Sequence, residues 1–384
     1  MALTGICEGR PGRSRRRCTY DEVAEWLDRP RAQWPRETEA FADSLELLAE
    51  AARRLGRERR ERGSLDFDLA EPELILDPEG RVVAIQPGAR NRAHRLIEEL
   101  MVAANRCVAE ILMDADQPAL YRVHDEPDPA RVEELKQAVA DLGLQLRGDP
   151  KTLQPAALQA LLEAADGRPE ERLVDMLVLR TLARALYSPE PRGHYALAAD
   201  AYLHFTSPIR RYPDLLVHRG IRHVLRGGKP RDFGYGRSDM EGLGRHCSHT
   251  ERRADDATRD AVDWLKCEYM LDKVGEEYEG IVSSVTSFGI FVELKEIYVE
   301  GLVHITALQN DYYHFDPAGH RLRGERTGRM YRLGDQVRVR VVRVDLDERK
   351  LDFELADTQV AEKPDKSEKR GGRGRKRGKR RSKR

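Results

Sequence analysis

His204-Phe205-Thr206-Ser207-Pro208-Ile209-Arg210-Arg211-Tyr212-Pro213-Asp214-Leu215-Leu216-Val217-His218-Arg219 is the stretch on which the reading of this chain turns. Two prolines bracket a pair of arginines. Pro208 fixes its own φ and keeps Ser207 out of the helical region; Pro213 does the same to Tyr212 and suits the first turn of a helix. Leu216, Val217, Gly220, Ile221, Val224 and Leu225 then recur on one helical face. The spacing therefore predicts a stiff turn before a helix N-terminus, with Arg210 and Arg211 both able to face one anion. A guanidinium suits a phosphate there, because it offers planar, paired donors and keeps its charge. The plainer alternative is a surface arginine pair leading into a helix.

The 384 residues, 40% hydrophobic and 35% charged, are enough for two or three domains with a real core. No run approaches the roughly 18 apolar residues of a membrane span, and residues 1–7 lack a secretory h-region. Five scattered cysteines without a Cys-x-x-Cys fit a reducing cytoplasm better than a disulfide framework. The net charge of zero conceals an asymmetry. Residues 369–384 hold eleven basic and no acidic side chains, which leaves −11 on residues 1–368. Such a tail is expected to be disordered and to meet polyphosphate, with an affinity that falls steeply as salt rises.

Upstream, Thr19-Tyr20-Asp21-Glu22 reads as a capping box, and a second helix follows from about residue 36. Residues 64–69, 73–76 and 81–85 read as strands, with a turn at 77–80 between the last two. Asp66 and Asp68 share a strand face, which is half a metal site or a solvated surface. Helices are predicted over about 91–113, 130–143, 155–165, 170–187 and 240–272, and strands at 118–124 and 193–198. Ala254, Ala257, Ala261, Leu265 and Tyr269 make a stripe on the last helix. His246, Cys247 and His249 crowd together without a second cluster to complete a zinc site.

From Gly275 the period changes to that of strands. Five short strands within 275–356 suit a small oligonucleotide-binding barrel. Phe288, Phe291 and His304 are expected to present rings on one face with Arg340 nearby, a stacking-plus-cation surface for single-stranded RNA. The fold class is thus α+β: a mixed helix-and-sheet body, a five-stranded barrel and a basic tail.

Phe205-Thr206-Ser207-Pro208-Ile209-Arg210-Arg211-Tyr212-Pro213-Asp214, with Thr250 to Asp255, Trp264 to Glu268, Gly301-Leu302-Val303-His304 and Asn310-Asp311-Tyr312-Tyr313, resembles the ribonuclease II/ribonuclease R (RNB) family, and its ribonuclease R branch in particular. On that resemblance residues 1–18 are a non-matching leader, 19–274 the C-terminal part of an RNB catalytic domain, 275–356 an S1 domain and 357–384 the tail. The resemblance implies metal-assisted hydrolysis of RNA from the 3′ end, releasing nucleoside 5′-monophosphates. It further implies that Arg210 stabilises the scissile phosphate, that Phe67 clamps terminal bases and that Glu98 contacts a terminal ribose. Thr258 stands where the ribonuclease II branch has an RNA-touching glutamate. The family's Mg2+ ligands, a tight aspartate run, fall upstream of the region matched here, so no metal ligand is assigned in this chain. A truncated or frame-shifted reading with a short foreign leader accounts for this, and resequencing the surrounding DNA tests it. Three functions follow: an exoribonuclease, an RNA-binding protein that does not cut, or one half of a split enzyme. The expected setting is a cytoplasmic monomer on single-stranded or structured RNA, with the ribosome or RNA-decay machinery as further partners and no membrane.

Overall fold

The computed structural model describes residues 16–67, 72–88, 90–168, 170–308, 311–316 and 321–356. Residues 1–15, Asp68, Asn310 and the basic tail lie outside them. Helix α1 (Tyr20–Asp28) starts at the capping box read from the sequence: Thr19 Oγ1 accepts from Glu22 N–H, and the Glu22 carboxylate accepts from Thr19 N–H at 2.7 Å. Helix α2 (Ala42–Glu61) leads to the hairpin β1 (Pro72–Leu76) and β2 (Val82–Pro87), closed by the turn at 77–80. Helix α3 (Arg92–Asp114) is capped by the Asn91 side chain, which accepts from Ala93 and His94 N–H. It lies against both α1 and α2.

Strand β3 (Tyr121–Val123) pairs antiparallel with β4 (Leu186–Ser188), the two separated by α4 (Pro129–Asp141), α5 (Pro155–Ala165) and α6 (Glu171–Thr181). Helices α4 and α5 each open on a proline in the first turn, where no donor is lost. Two expectations fail in this region. Residues 64–67 alternate like a strand but make no ladder; Leu65 N–H donates singly to Ala196 O. Residues 193–198 curl into a 3-10 turn that ends on Ala198 at φ +45°. Alternation gives a segment two faces, but a strand also needs a neighbour to take its hydrogen bonds. Helix α6 stops at Thr181, short of the predicted 187, because β4 takes the residues that follow.

Helix α7 (Tyr212–Leu225) buries Leu216, Val217, Gly220 and Ile221 as its stripe requires: Val217 and Ile221 cluster with Val108, Leu112 and Leu203, and Leu216 with Leu120 and Met240. Helix α8 (Arg237–Met270) runs from this body to the barrel. Its first part packs on β4 and α7, and its last buries Cys267 and Met270. Between them residues 252–261 are exposed on every face, so Ala254, Ala257 and Ala261 are not a core stripe.

The five expected strands close into a barrel in the order β11-β12-β7-β6-β5: β5 (Glu277–Thr286), β6 (Gly289–Leu294), β7 (Glu300–His304), β11 (Gln336–Asp345) and β12 (Lys350–Leu355). The connection between β7 and β11 holds a further small sheet of β8 (Tyr313–Asp316), β9 (Arg321–Gly324) and β10 (Met330–Arg332), beyond the five strands expected. One apolar cluster joins the barrel interior to α4–α6, and Lys266 Nζ donates to Tyr298 O at 3.0 Å across the seam. The Arg172–Glu293 ion pair reinforces it. Gly289 lies where the chain re-enters the barrel, and a Cβ there would stand 2.3 Å from Val303 O. Gly289→Ala should therefore lower barrel stability by on the order of 2 kcal/mol. Ser287→Ala, at an exposed neighbour, should not. Paired thermal melts of the two variants check this.

Candidate nucleic-acid interface

The turn before α7 is built from its hydrogen bonds upward. Arg210 N–H and Arg211 N–H both donate to Ser207 O, at 3.3 and 3.1 Å. Asp214, fully buried, accepts at Oδ1 from Ser207 N–H and from Arg211 Nη2, each at 2.8 Å. From behind, Phe205 N–H donates to Asn105 Oδ1, Asn105 Nδ2 donates to the Tyr202 hydroxyl, and His218 stacks on Phe205 at 4.3 Å. The turn is a preorganised platform rather than a loose loop.

The two arginines do not act alike, which corrects the expectation that both face one anion. The Arg211 guanidinium is directed to Asp214 and is largely buried. Arg210 is exposed at the tip, and its side chain has no partner among the described residues. Ile209 beside it is fully exposed. Thr206 Oγ1, Arg211 Nε and Asp214 Oδ2 are buried with no partner among the described residues, a polar set able to receive a water or a ligand oxygen.

Two partly buried rings flank this platform. Burial, with Arg211 and Arg122 nearby, pushes His204 down to about 3. Burial and the neighbouring His124 push His194 to about 3. The Tyr187 hydroxyl lies 2.8 Å from His204 Nδ1, and Arg122, paired with Glu251 at 2.6 Å, sits over the Tyr187 ring.

The other residues assigned by resemblance lie elsewhere. Phe67 is half-buried and packs against the larger apolar cluster; its carbonyl accepts from Arg90 Nη1 at 3.1 Å. Glu98 accepts from Arg90 Nη2 at both carboxylate oxygens, at 2.8 and 3.0 Å, and from Nε at 3.2 Å. Asp66 is held by Arg90 at 3.1 Å and by the buried Arg59 at 3.4 Å, so its carboxylate is committed to arginines. Cys247, of the crowded His246–His249 stretch, is buried, which raises its thiol. No three His, Cys, Asp or Glu side chains converge as a ligand set among the described residues. These residues therefore do not fit a Mg2+ site.

On the barrel, Phe288 is exposed and meets Phe291 edge-on at 6.0 Å. His304 is exposed and sits opposite Gly289 in the β6–β7 register. These three rings do share one end of the barrel. Arg340 does not join them. It pairs with Glu277 at 2.6 Å, at the start of β5, whereas Phe288 follows the far end of that ten-residue strand. The contributions of Asn105, Arg122, Tyr187 and Asp214 were not read from the sequence. Only Asp214, an acid in the first turn of α7 three residues after Arg211, left a local signal.

With this geometry described, the comparisons with known proteins are specific. The RNB domain model matches residues 13–227, and the S1 RNA binding domain model matches 271–356. This chain belongs to the RNB family, with an S1 domain following. It is 45% identical over 350 residues to ribonuclease R of Escherichia coli, covering 88% of this chain and 43% of that protein. Against ribonuclease R of Aquifex aeolicus it is 45% identical over 344 residues, covering 89% of this chain and 48% of that one. The chain thus spans less than half the length of these relatives. The apo form of Mycoplasma genitalium RNase R superposes with a TM-score of 0.83 at 27% identity, over 88% of this chain and 53% of that one. The same protein in complex with ribose methylated single-stranded RNA gives the same values. No helix among the described residues is long and apolar enough to cross a membrane.

Two outcomes follow for stability. Asp214→Ala strands a buried guanidinium and the Ser207 N–H, and should cost about 3–5 kcal/mol in urea denaturation. Arg210→Ala should stay within about 0.5 kcal/mol of the parent. The partly buried histidines also set an acid limit. Above pH 6.5 neither the folded nor the unfolded chain protonates His194 or His204. Between pH 6.5 and about 3 the unfolded chain takes up protons that the fold refuses. Stability should fall there by up to about 1.4 kcal/mol per pH unit for each ring. The fall should be shallower in His204→Gln, and denaturant midpoints from pH 7 to pH 4 measure both slopes.

Proposed function

We propose that this chain grips the 3′ end of an RNA strand and supplies the phosphate-holding part of a ribonuclease R-like 3′-to-5′ exoribonuclease that releases nucleoside 5′-monophosphates. The observation that carries this reading is Arg210, an exposed guanidinium without a side-chain partner among the described residues, on a turn braced by a buried carboxylate. A cation carried on that braced turn stabilises the charge that develops on a phosphorus under attack. Phe288, Phe291 and His304 hold the strand further from its end by stacking on its bases. The RNA-bound relative, at a TM-score of 0.83, supports RNA as the ligand.

The nucleophile and the charge balance of the leaving oxygen belong to a divalent metal in this family's chemistry, and the described residues offer no ligand set for one. That observation favours a second reading for the chain by itself: an RNA-binding protein, or one half of a split enzyme completed by a companion that carries the carboxylates. Both readings put the protein in the cytoplasm as a monomer on single-stranded or structured RNA, with the ribosome or decay machinery as further partners.

One assay separates the readings. Purified chain is incubated with a 5′-labelled, 3′-tailed RNA and magnesium. Mononucleotide release supports the exoribonuclease, binding without release supports the binder, and release only with an added aspartate-bearing fragment supports the split form. In every case Arg210→Ala should weaken capture of the 3′ end by about tenfold, the loss of one charge-assisted contact. Unchanged capture would sink the assignment of the turn.

A further inference from the structure

We propose that His204 is an RNA-contacting residue, a neutral imidazole that offers its Nε2–H to a phosphate oxygen beside Arg210 and is locked in that tautomer by Tyr187. This rests on reading the turn as an RNA site.

His204 leads directly into the turn, with Thr206 two residues on and Arg210 six. The Tyr187 hydroxyl is 2.8 Å from Nδ1 and is the hydrogen-bond partner that ring has among the described residues. Burial pushes the Tyr187 phenol up to about 12, so it keeps its proton. No other partner for that hydroxyl is found among the described residues, so its O–H donates to Nδ1. A neutral imidazole that accepts at Nδ1 carries its hydrogen on Nε2. The Nε2 edge makes no hydrogen bond to a described residue, and it is not among the enclosed, unsatisfied polar atoms. It is therefore a donor without a partner and within reach of solvent.

The surroundings decide what such a donor is for. Arg211, Arg122 and Arg210 act on the ring electrostatically, as does His194, and the rings of Tyr187 and Tyr202 close it in at 5.6 and 5.8 Å. A protonated imidazole among three guanidiniums would be repelled, whereas a neutral N–H adds a hydrogen bond without adding charge. Thr206 Oγ1 and Arg211 Nε, in the same turn, are also buried donors without partners among the described residues, and the acceptor Asp214 Oδ2, on the carboxylate that Arg211 neutralises, is likewise unpartnered there. An oxyanion bound beside Arg210 is the ligand chemistry that several unmet donors in one cationic turn select.

The test is binding of a 5′-fluorescein oligoribonucleotide with a free 3′ end, followed by anisotropy in EDTA. A Phe288→Ala background and about 0.2 M salt keep the barrel and the basic tail from masking the turn. His204→Ala should weaken binding about 5- to 10-fold. His204→Gln, whose amide nitrogen can take the place of Nε2, should recover most of the loss. Tyr187→Phe, which frees the tautomer, should weaken binding about 2- to 3-fold. The ratio of parent to His204→Ala affinity should be flat from pH 5.5 to pH 8. Equal binding by a folded His204→Ala variant, no recovery with Gln, or a step in that ratio near pH 6.5 would each overturn the proposal. Arg210→Ala separates the two levels of inference. If it too leaves binding unchanged, the turn is not the RNA site; if it weakens binding while His204→Ala does not, only the role of His204 falls.

Discussion

A single buried carboxylate organises the functional end of this molecule. Asp214 has no contact with solvent, yet it holds the Ser207 N–H and the Arg211 guanidinium at once. A buried charge is tolerated only with partners, and here both partners belong to the turn it supports. The consequence is a division of labour between adjacent arginines. Arg211 neutralises Asp214 and becomes part of the scaffold, and Arg210 is left at the tip with its donors facing outward.

The rest of the body aims that turn. Helix α3 reaches it through Asn105, whose amide bridges Phe205 N–H and the Tyr202 hydroxyl. Strand β4 reaches it through Tyr187. Helix α8 joins this region to the barrel; its middle turns are exposed, and Asp260 among them pairs with Arg349 of the β11–β12 turn at 2.9 Å. A helix exposed all round behaves as a strut: its stability comes from the packed ends and from its own charge pairs rather than from a buried stripe. The aromatic end of the barrel and the arginine turn are thus two separate surface features carried by one continuous framework.

Much of this was legible from spacing. The capping box at Thr19, the prolines of the turn, the α7 stripe and the five alternating segments of the barrel are local patterns, and each formed the element it described. The failures share a cause. Residues 64–67 alternate without finding a strand to pair with, and residues 193–198 make only isolated bridges, of His194 to His124 and Ala199, before they turn. Ala254, Ala257 and Ala261 recur at helical spacing with nothing packed on them. Arg340 lies on a barrel strand as expected, but register set it beside Glu277 and away from Phe288. Periodicity states which residues share a face and leaves open what that face meets.

The amino-acid sequence by itself determined the α+β class, the barrel, the stiffness of the signature turn and the family, because period, proline placement and helix caps act over a few residues. Tertiary structure decided which arginine of the turn faces outward, which nitrogen of His204 meets Tyr187, and which rings and cations share a surface. Those outcomes depend on partners 17 residues away in the chain for Tyr187 and His204, and 100 for Phe205 and Asn105. Separations of that size are closed only by the packed core, so the pairing energies that choose among alternatives do not exist until the chain has folded.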